Sequence, residues 1–342
     1  MIAEKLLEKG LVPDGLIRYR IRSLLRQRLK EIAGSSPEAF AQSLQGQPIA
    51  VATEAANEQH YEVPPAFFER VLGPRLKYSC ALYEKPTDTL AIAEEQMLEL
   101  TCQRAGLGDG QDVLELGCGW GSLTLWMAAR FPGSRITGVS NSNPQREFIV
   151  ARARSLGLKN VEILTRDMNQ FTTELKYDRV VSVEMFEHMR NVGALLGRVA
   201  TWLKPEGKLF VHVFAHREFA YLFEDRDESD WMSRFFFSGG MMPNHALYRH
   251  FEQDLRVEQD WVVSGTHYAR TSEDWLINMD QHEEEIREIF RQTYGADHVS
   301  LWWARWRIFF MACAELWAWD QGQVWHVSHY LFGKTVNPRA FA

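Results

Sequence analysis

The stretch "SVEMFEHM" (182–189) sets two carboxylates and an imidazole directly after "YDRVVSV", a run with the make-up of a buried strand. Glu184, Glu187 and His188 stand at i, i+3 and i+4, so a helical turn there would aim all three to one side. Two acids and a base so placed are equipment for acid–base chemistry. The same three residues could instead form a buried ion-pair network, and for Glu184 both accounts stay open.

A second cluster lies upstream. "VLELGCGWG" (113–121) carries Glu115, Gly117, Gly119 and Gly121. Glycines after the first strand of an open α/β sheet let the backbone turn sharply and approach a ligand, and the next helix presents free N–H groups there. The spacing is G-x-G-x-G rather than the dinucleotide G-x-G-x-x-G. The acid two residues before the first glycine would repel a pyrophosphate and attract an ammonium, so the turn suits a nucleoside without phosphates. A tight structural turn is the bland alternative. "GVSNSNPQ" then offers Ser140, Asn141 and Gln145 where a ribose site usually has an acid. Asp167, after the third strand, can accept from an adenine amino group.

These residues need a scaffold, and the pattern around them supplies one. "DTLAIAEEQMLELTCQRAGL" (88–107) predicts a helix with Asp88 as its cap. Alternation follows. "DVLEL", "RITGVSNS", "VEILTRDM", "YDRVVSV" and "KLFVHVF" predict strands. "SLTLWMAARF", "NPQREFIVARARSLG" (capped by Asn143) and "NVGALLGRVATWLKPEG" predict helices between them. Strands separated by such helices imply right-handed crossovers and a parallel sheet. Beyond Phe214 the rhythm fails. The aromatic, acidic segment 215–250 predicts an insertion covering something. "LRVEQDWVVSG" is a candidate strand, "TSEDWLINMDQHEEEIREIFRQTYG" one helix capped at Ser272, 301–319 another helix, and "VWHVSHYLFGK" a closing strand. Residues 1–50 predict helices with a basic, solvated face.

Composition narrows the function. The 342 residues carry a formal net charge of -7, and no Lys/Arg-rich block runs along a face, which argues against a nucleic-acid binder. Cys80, Cys102, Cys118 and Cys313 form no C-x-x-C pair and have no His at metal spacing. They predict reduced thiols in a cytoplasmic protein and no metal site. "MIAEKLLEKG" is not a secretory signal. The nearest candidate span, 301–319, is broken by Arg305, Arg307 and Glu315, so no stable membrane insertion is expected. The 12 Trp, 10 Tyr and 20 Phe fit a large aromatic core or a pocket for an aromatic or cationic ligand.

"VLELGCGWG" with "GVSNSNPQ" resembles the S-adenosylmethionine site of the class I methyltransferases. "YSCALY" (78–83), "CGWG" and "MFEHM" resemble the branch containing the cyclopropane fatty acid synthases. "VEMFEHMRN", "FAYLFEDRDESDW", "HYARTSEDWL" and "SHYLFGK" resemble its coclaurine N-methyltransferase group, in register over about residues 57–334. The resemblance implies a Rossmann-like, seven-stranded, mostly parallel α/β sheet. A helical extension and cofactor-covering segment (1–87) would precede the methyltransferase domain (88–342), with the insertion 215–250 over the substrate site. It implies Tyr78, Ser79, Glu115, Gly117, Gly119, Asn141, Gln145, Asp167 and Met168 around S-adenosylmethionine, whose product is S-adenosylhomocysteine. It implies Glu184, Glu187 and His188 at a small amine, holding the ammonium and taking its proton. A homodimer is compatible with it. The cyclopropane synthase alternative uses a bicarbonate base on an unsaturated lipid, held at positions matching Cys80, Glu187, His212 and Tyr268. The carboxylates Glu224, Asp225, Asp227, Glu228 and Asp230 suit a cationic substrate better, or form a solvated loop.

Overall fold

The computed structural model describes residues 10, 12–51, 63–225 and 231–335. Parts of the predicted extension and the acids Asp227, Glu228 and Asp230 lie outside the described residues.

Among the described residues four helices precede the sheet: α1 (Asp14–Ile32), α2 (Pro37–Ser43), α3 (Pro65–Val71) and α4 (Leu90–Ala105). Then β1 (Asp112–Leu116), α5 (Ser122–Arg130), β2 (Arg135–Ser140), α6 (Asn143–Ser155), β3 (Val161–Thr165), β4 (Tyr177–Val183), α7 (Val192–Trp202) and β5 (Leu203–His216) alternate. The insertion carries β6 (Tyr221–Leu222), α8 (Trp231–Phe235) and β7 (Met241–Met242). The chain ends with β8 (Leu255–Val263), α9 (Gly265–Gln281), α10 (Glu283–Tyr294), α11 (Val299–Ala318) and β9 (Trp325–Lys334).

Seven strands form one sheet in the order β3-β2-β1-β4-β5-β9-β8. The first five are mutually parallel and β9 is antiparallel to both of its neighbours. Side chains alternate between faces, as the pleat requires. Val113, Val181 and Phe210 pack with Leu98 and Cys102 of α4 and Leu123 of α5. Leu114, Val180 and Leu209 pack with Leu195 and Val199 of α7. Most of the aromatic content forms a third core, in which Phe67, Phe68, Trp275, Trp306, Phe290 and Phe310 join α3, α9, α10 and α11. Helix α1 lies on α11 through Ile17, Ile21, Leu25 and Leu29. Arg18 pairs with Glu315 of α11 at 3.2 Å and with Glu273 of α9 at 2.6 Å.

Several helix ends differ from expectation. Thr89, not Asp88, caps α4, and Asp88 instead accepts from the Lys85 N–H at 2.8 Å. Ser142, not Asn143, caps α6. The single helix expected from Thr271 is two. The first begins at Gly265 under a Ser264 cap, and Ser272 lies buried inside it, its hydroxyl donating to the Tyr268 carbonyl. Helix α7 stops at Trp202, because "LKPEG" already runs into β5.

Candidate active site

Beyond the carboxyl ends of β1 to β4, at the switch point of the strand order, the loops enclose two cavities. They have about 190 Å³ and about 80 Å³ and share Gly117, Gly119, Gln145 and His188 as walls. Tyr78, Ser79 and Glu115 line the larger; Asn141, Asp167 and Met168 line the smaller. All nine residues expected around the cofactor therefore face this pair of cavities.

The glycines are required by geometry. Gly117 and Gly119 have φ of +79° and +52°, the left-handed region that costs other residues about 1–2 kcal/mol. A Cβ on Gly117 would stand 2.8 Å from Met185, whereas one on Gly119 would project into open space. Gln145 is oriented from behind: the Ser140 hydroxyl donates to its Oε1 at 2.6 Å, and its buried Nε2 has no partner. An unpaired donor on a cavity wall, beside a backbone cradle and the Asp167 carboxylate, fits the hydroxyls and amines of a nucleoside ligand. Burial pushes the Glu115 carboxyl up to about 7, against a bond from the Thr124 hydroxyl.

The acid–acid–His cluster does not open to one side. Glu184 itself has φ +48°, and only Phe186–His188 form a turn of 3-10 helix. The three side chains diverge. Glu184 reaches the larger cavity. There its Oε1 accepts from the Cys80 N–H at 3.0 Å and lies 3.1 Å from His212 Nε2, and its Oε2 accepts from the Tyr268 hydroxyl at 2.6 Å. His188 stacks on Phe237 at 4.5 Å and faces both cavities. Glu187 is fully buried and lines neither cavity. Its Oε1 accepts from the Phe214 N–H at 2.8 Å and its Oε2 has no partner. The set predicted from Cys80, Glu187, His212 and Tyr268 is thus assembled around Glu184 instead, and Cys80 offers its backbone N–H rather than its thiol.

Burial raises the Glu184 carboxyl, opposed by the nearby Lys77 charge and by the bonds from Tyr268 and Cys80. Burial and the Glu184 charge together push the Glu187 carboxyl well above the usual carboxyl range. The thiol of Cys80 is pushed well up by burial.

Sequence reasoning missed Lys77 and Glu94. Lys77 is buried, donates to Ser79 Oγ and the Cys80 carbonyl, and supplies the cation nearest Glu184. Glu94 on α4 accepts from the backbone N–H of Gly73, Arg75 and Lys77 at 2.8–3.1 Å, fastening the segment that carries Tyr78 and Ser79. Their one visible sign was position: Lys77 adjoins "YSC", and Glu94 falls on the apolar face of α4. Among the described residues no group of His, Cys, Asp and Glu could hold a metal. The apolar wall comes from Phe223, Met232 and Phe237 of the insertion and Phe309 and Trp317 of α11.

The chain is 39% identical over 341 residues to an (S)-coclaurine N-methyltransferase of Thalictrum flavum subsp. glaucum, covering 96% of this chain and 94% of that one. It superposes with a TM-score of 0.94 and 34% identity on a crystal structure of coclaurine N-methyltransferase bound to N-methylheliamine and SAH, covering 97% and 99% of the two chains. It is 30% identical over 249 residues to the cyclopropane-fatty-acyl-phospholipid synthase of Escherichia coli strain K12, over 70% of this chain and 62% of that one. Residues 50–327 match the mycolic acid cyclopropane synthetase family, and with these relatives the chain belongs to that family.

Proposed function

We propose that the protein transfers the methyl group of S-adenosyl-L-methionine to the nitrogen of a small cyclic or aryl-bearing amine. The observation that carries this reading is the place of Glu184. Its carboxylate already fills the donors of Cys80, His212 and Tyr268, which the lipid alternative would need for bicarbonate. A second anion there would meet Glu184 at contact distance, whereas an ammonium meets an acceptor. The relatives named as N-methyltransferases support the same class of reaction.

The cofactor, when bound, supplies an electrophilic methyl on a sulfonium. Gly117, Gly119, Gln145, Asn141 and Asp167 bind and orient it. Glu184 attracts the protonated amine into the aromatic chamber. His188, at the junction of the two cavities, accepts the proton and frees the nitrogen lone pair. The rings around it exclude water and hold the amine in line. Glu187 holds Phe214 in the wall through the backbone. A cytoplasmic enzyme acting on a dissolved amine fits the four free cysteines and the absence, among the described residues, of any helix long and apolar enough to cross a membrane.

The test is incubation with labelled S-adenosylmethionine and a panel of tetrahydroisoquinolines, open-chain amines and unsaturated phospholipid vesicles. Label on an amine nitrogen, with or without bicarbonate, is expected. Label on lipid alone, or amine methylation that requires bicarbonate, would overturn the reading.

A further inference from the structure

Behind Glu184 a line of hydrogen bonds crosses the sheet to the surface. His212 on β5 and His329 on β9 are direct cross-strand partners, both fully buried, with His212 Nδ1 2.9 Å from His329 Nε2. His329 Nδ1 lies 2.8 Å from the guanidinium of Arg104 on α4. Arg104 in turn rests over Trp261, which is His329's cross-strand partner on β8. With Arg179 and Lys208, Arg104 and Trp261 line a surface hollow that shares no wall residue with the two cavities.

A guanidinium has only donors. Arg104 must therefore donate to His329 Nδ1. His329 must carry its proton on Nε2 and donate it to His212 Nδ1. His212 must carry its own on Nε2 and donate it to Glu184 Oε1. One residue at the surface thus fixes both tautomers and the direction of all three bonds. The same chain cannot conduct a proton outward. Passing one along would reverse each bond and leave a second donor facing Arg104.

We propose that Arg104, His329 and His212 are positioning residues that hold the Glu184 carboxylate as an oriented acceptor and close it to protons from the far side of the sheet. The inference rests on the reading above, in which Glu184 meets the amine. It assigns the departing proton to the His188 side alone.

The surroundings agree. The charged groups that face the imidazoles are Lys77 from the segment before α4, Arg104 from α4 and Glu184 after β4, while Cys80, Glu187, Tyr268 from α9 and Cys313 from α11 act on Glu184. Burial pushes both imidazoles well below the usual range, and the charges of Lys77 and Arg104 add to it, so both stay neutral. Arg104 is half-buried at the surface, and replacing it removes no core side chain.

Two measurements test this on the full-length protein. Side-chain nitrogen NMR should show His212 and His329 neutral and protonated on Nε2, with Arg104→Met redistributing the His329 tautomer. With tetrahydroisoquinoline as acceptor, Arg104→Met should move the acid limb of the turnover profile up by roughly one pH unit, because a positive charge beside the chain is gone and a proton can enter. Cofactor affinity should not change, and Arg104→Lys, which also only donates, should restore the profile. Either imidazole found protonated on Nδ1 or as a cation would overturn the proposal. So would an Arg104→Met protein with unaltered spectrum and profile. If wild type fails to methylate the amine, the functional reading falls, and the NMR result still decides the chain.

Discussion

In the proposed mechanism His188 is the base and Glu184 the charge, and two substitutions separate them. His188 touches both cavities but supplies none of the nucleoside's donors. His188→Ala should lower kcat by roughly 10²–10⁴-fold, the usual worth of a positioned base, with cofactor affinity by calorimetry unchanged. Equal loss of cofactor binding would mean that the imidazole is part of the cofactor site. Glu184→Gln keeps the shape but loses the charge facing the amine. A hydrogen bond to a charged group contributes about 1.5–3 kcal/mol, so KM for the amine should rise by roughly 10–100-fold. The folded pKa of Glu184 is raised. The carboxylate is therefore lost as pH falls through a value above the ordinary carboxyl range, and the acid limb of kcat/KM should lie there. Glu184→Gln should remove that proton from the acid limb and leave only the dependence set by the His188 base; a kcat/KM profile unchanged by the substitution would show that Glu184 carries no charge the amine needs.

The cofactor turn and the segment before α4 hold their places by backbone, and each has one weak point. Gly119→Val would force a β-branched residue into the left-handed region and push its side chain into the cavity. Cofactor affinity should fall by about tenfold or more while the circular dichroism of the fold remains; unchanged affinity would place the ligand elsewhere. Glu94→Ala would orphan the buried N–H groups of Gly73 and Lys77 and the part-buried one of Arg75. At about 1–3 kcal/mol for each buried unsatisfied group, stability by denaturant titration should drop by roughly 3 kcal/mol or more. These elements also show what a sequence can disclose. The strand–glycine–helix units were legible because periodicity and turn residues act over a few positions. Helix starts slipped by a residue where two capping types stood side by side, Asp88 with Thr89 and Ser142 with Asn143. The partners of Glu184 were not legible. They lie 104, 28 and 84 residues away, and the left-handed backbone at Glu184 breaks the i, i+3, i+4 geometry that the spacing suggested. Residue types alone could not say which of two nearby glutamates enters the set.

Taken whole, the molecule surrounds a site for cationic ligands with buried acids, and the unliganded fold carries the cost. Glu94 and Glu115 are both pushed up to about 7, chiefly by burial. A carboxyl whose folded pKa exceeds its unfolded value of 4.5 binds more protons folded than unfolded between those two values. Its contribution is therefore complete below 4.5 and is lost as pH rises through 7, so stability declines across that window. A tenfold difference in proton affinity between the folded and unfolded chain is worth about 1.4 kcal/mol, which makes the decline from Glu115 alone roughly 3 kcal/mol. Partly exposed acids with lowered values, such as Asp112 and Asp178 beside Lys204, act below that window and contribute little because solvent screens them. The buried imidazoles of His212, His216, His326 and His329, held below their usual range, contribute the opposite slope up to their unfolded value, so the Glu115 share is read as a difference between two proteins. Glu115→Gln keeps an oxygen for the Thr124 hydroxyl and has no proton to lose, so the melting temperature of cofactor-free wild type minus that of the variant should fall from pH 5 to pH 8. Addition of S-adenosylmethionine should raise the wild-type melting temperature more at pH 8 than at pH 5, since a cation meets an ionised Glu115 only at the higher pH. Parallel pH profiles for wild type and Glu115→Gln would show that this carboxyl titrates normally in the folded protein and that its acidity has no part in holding the ligand.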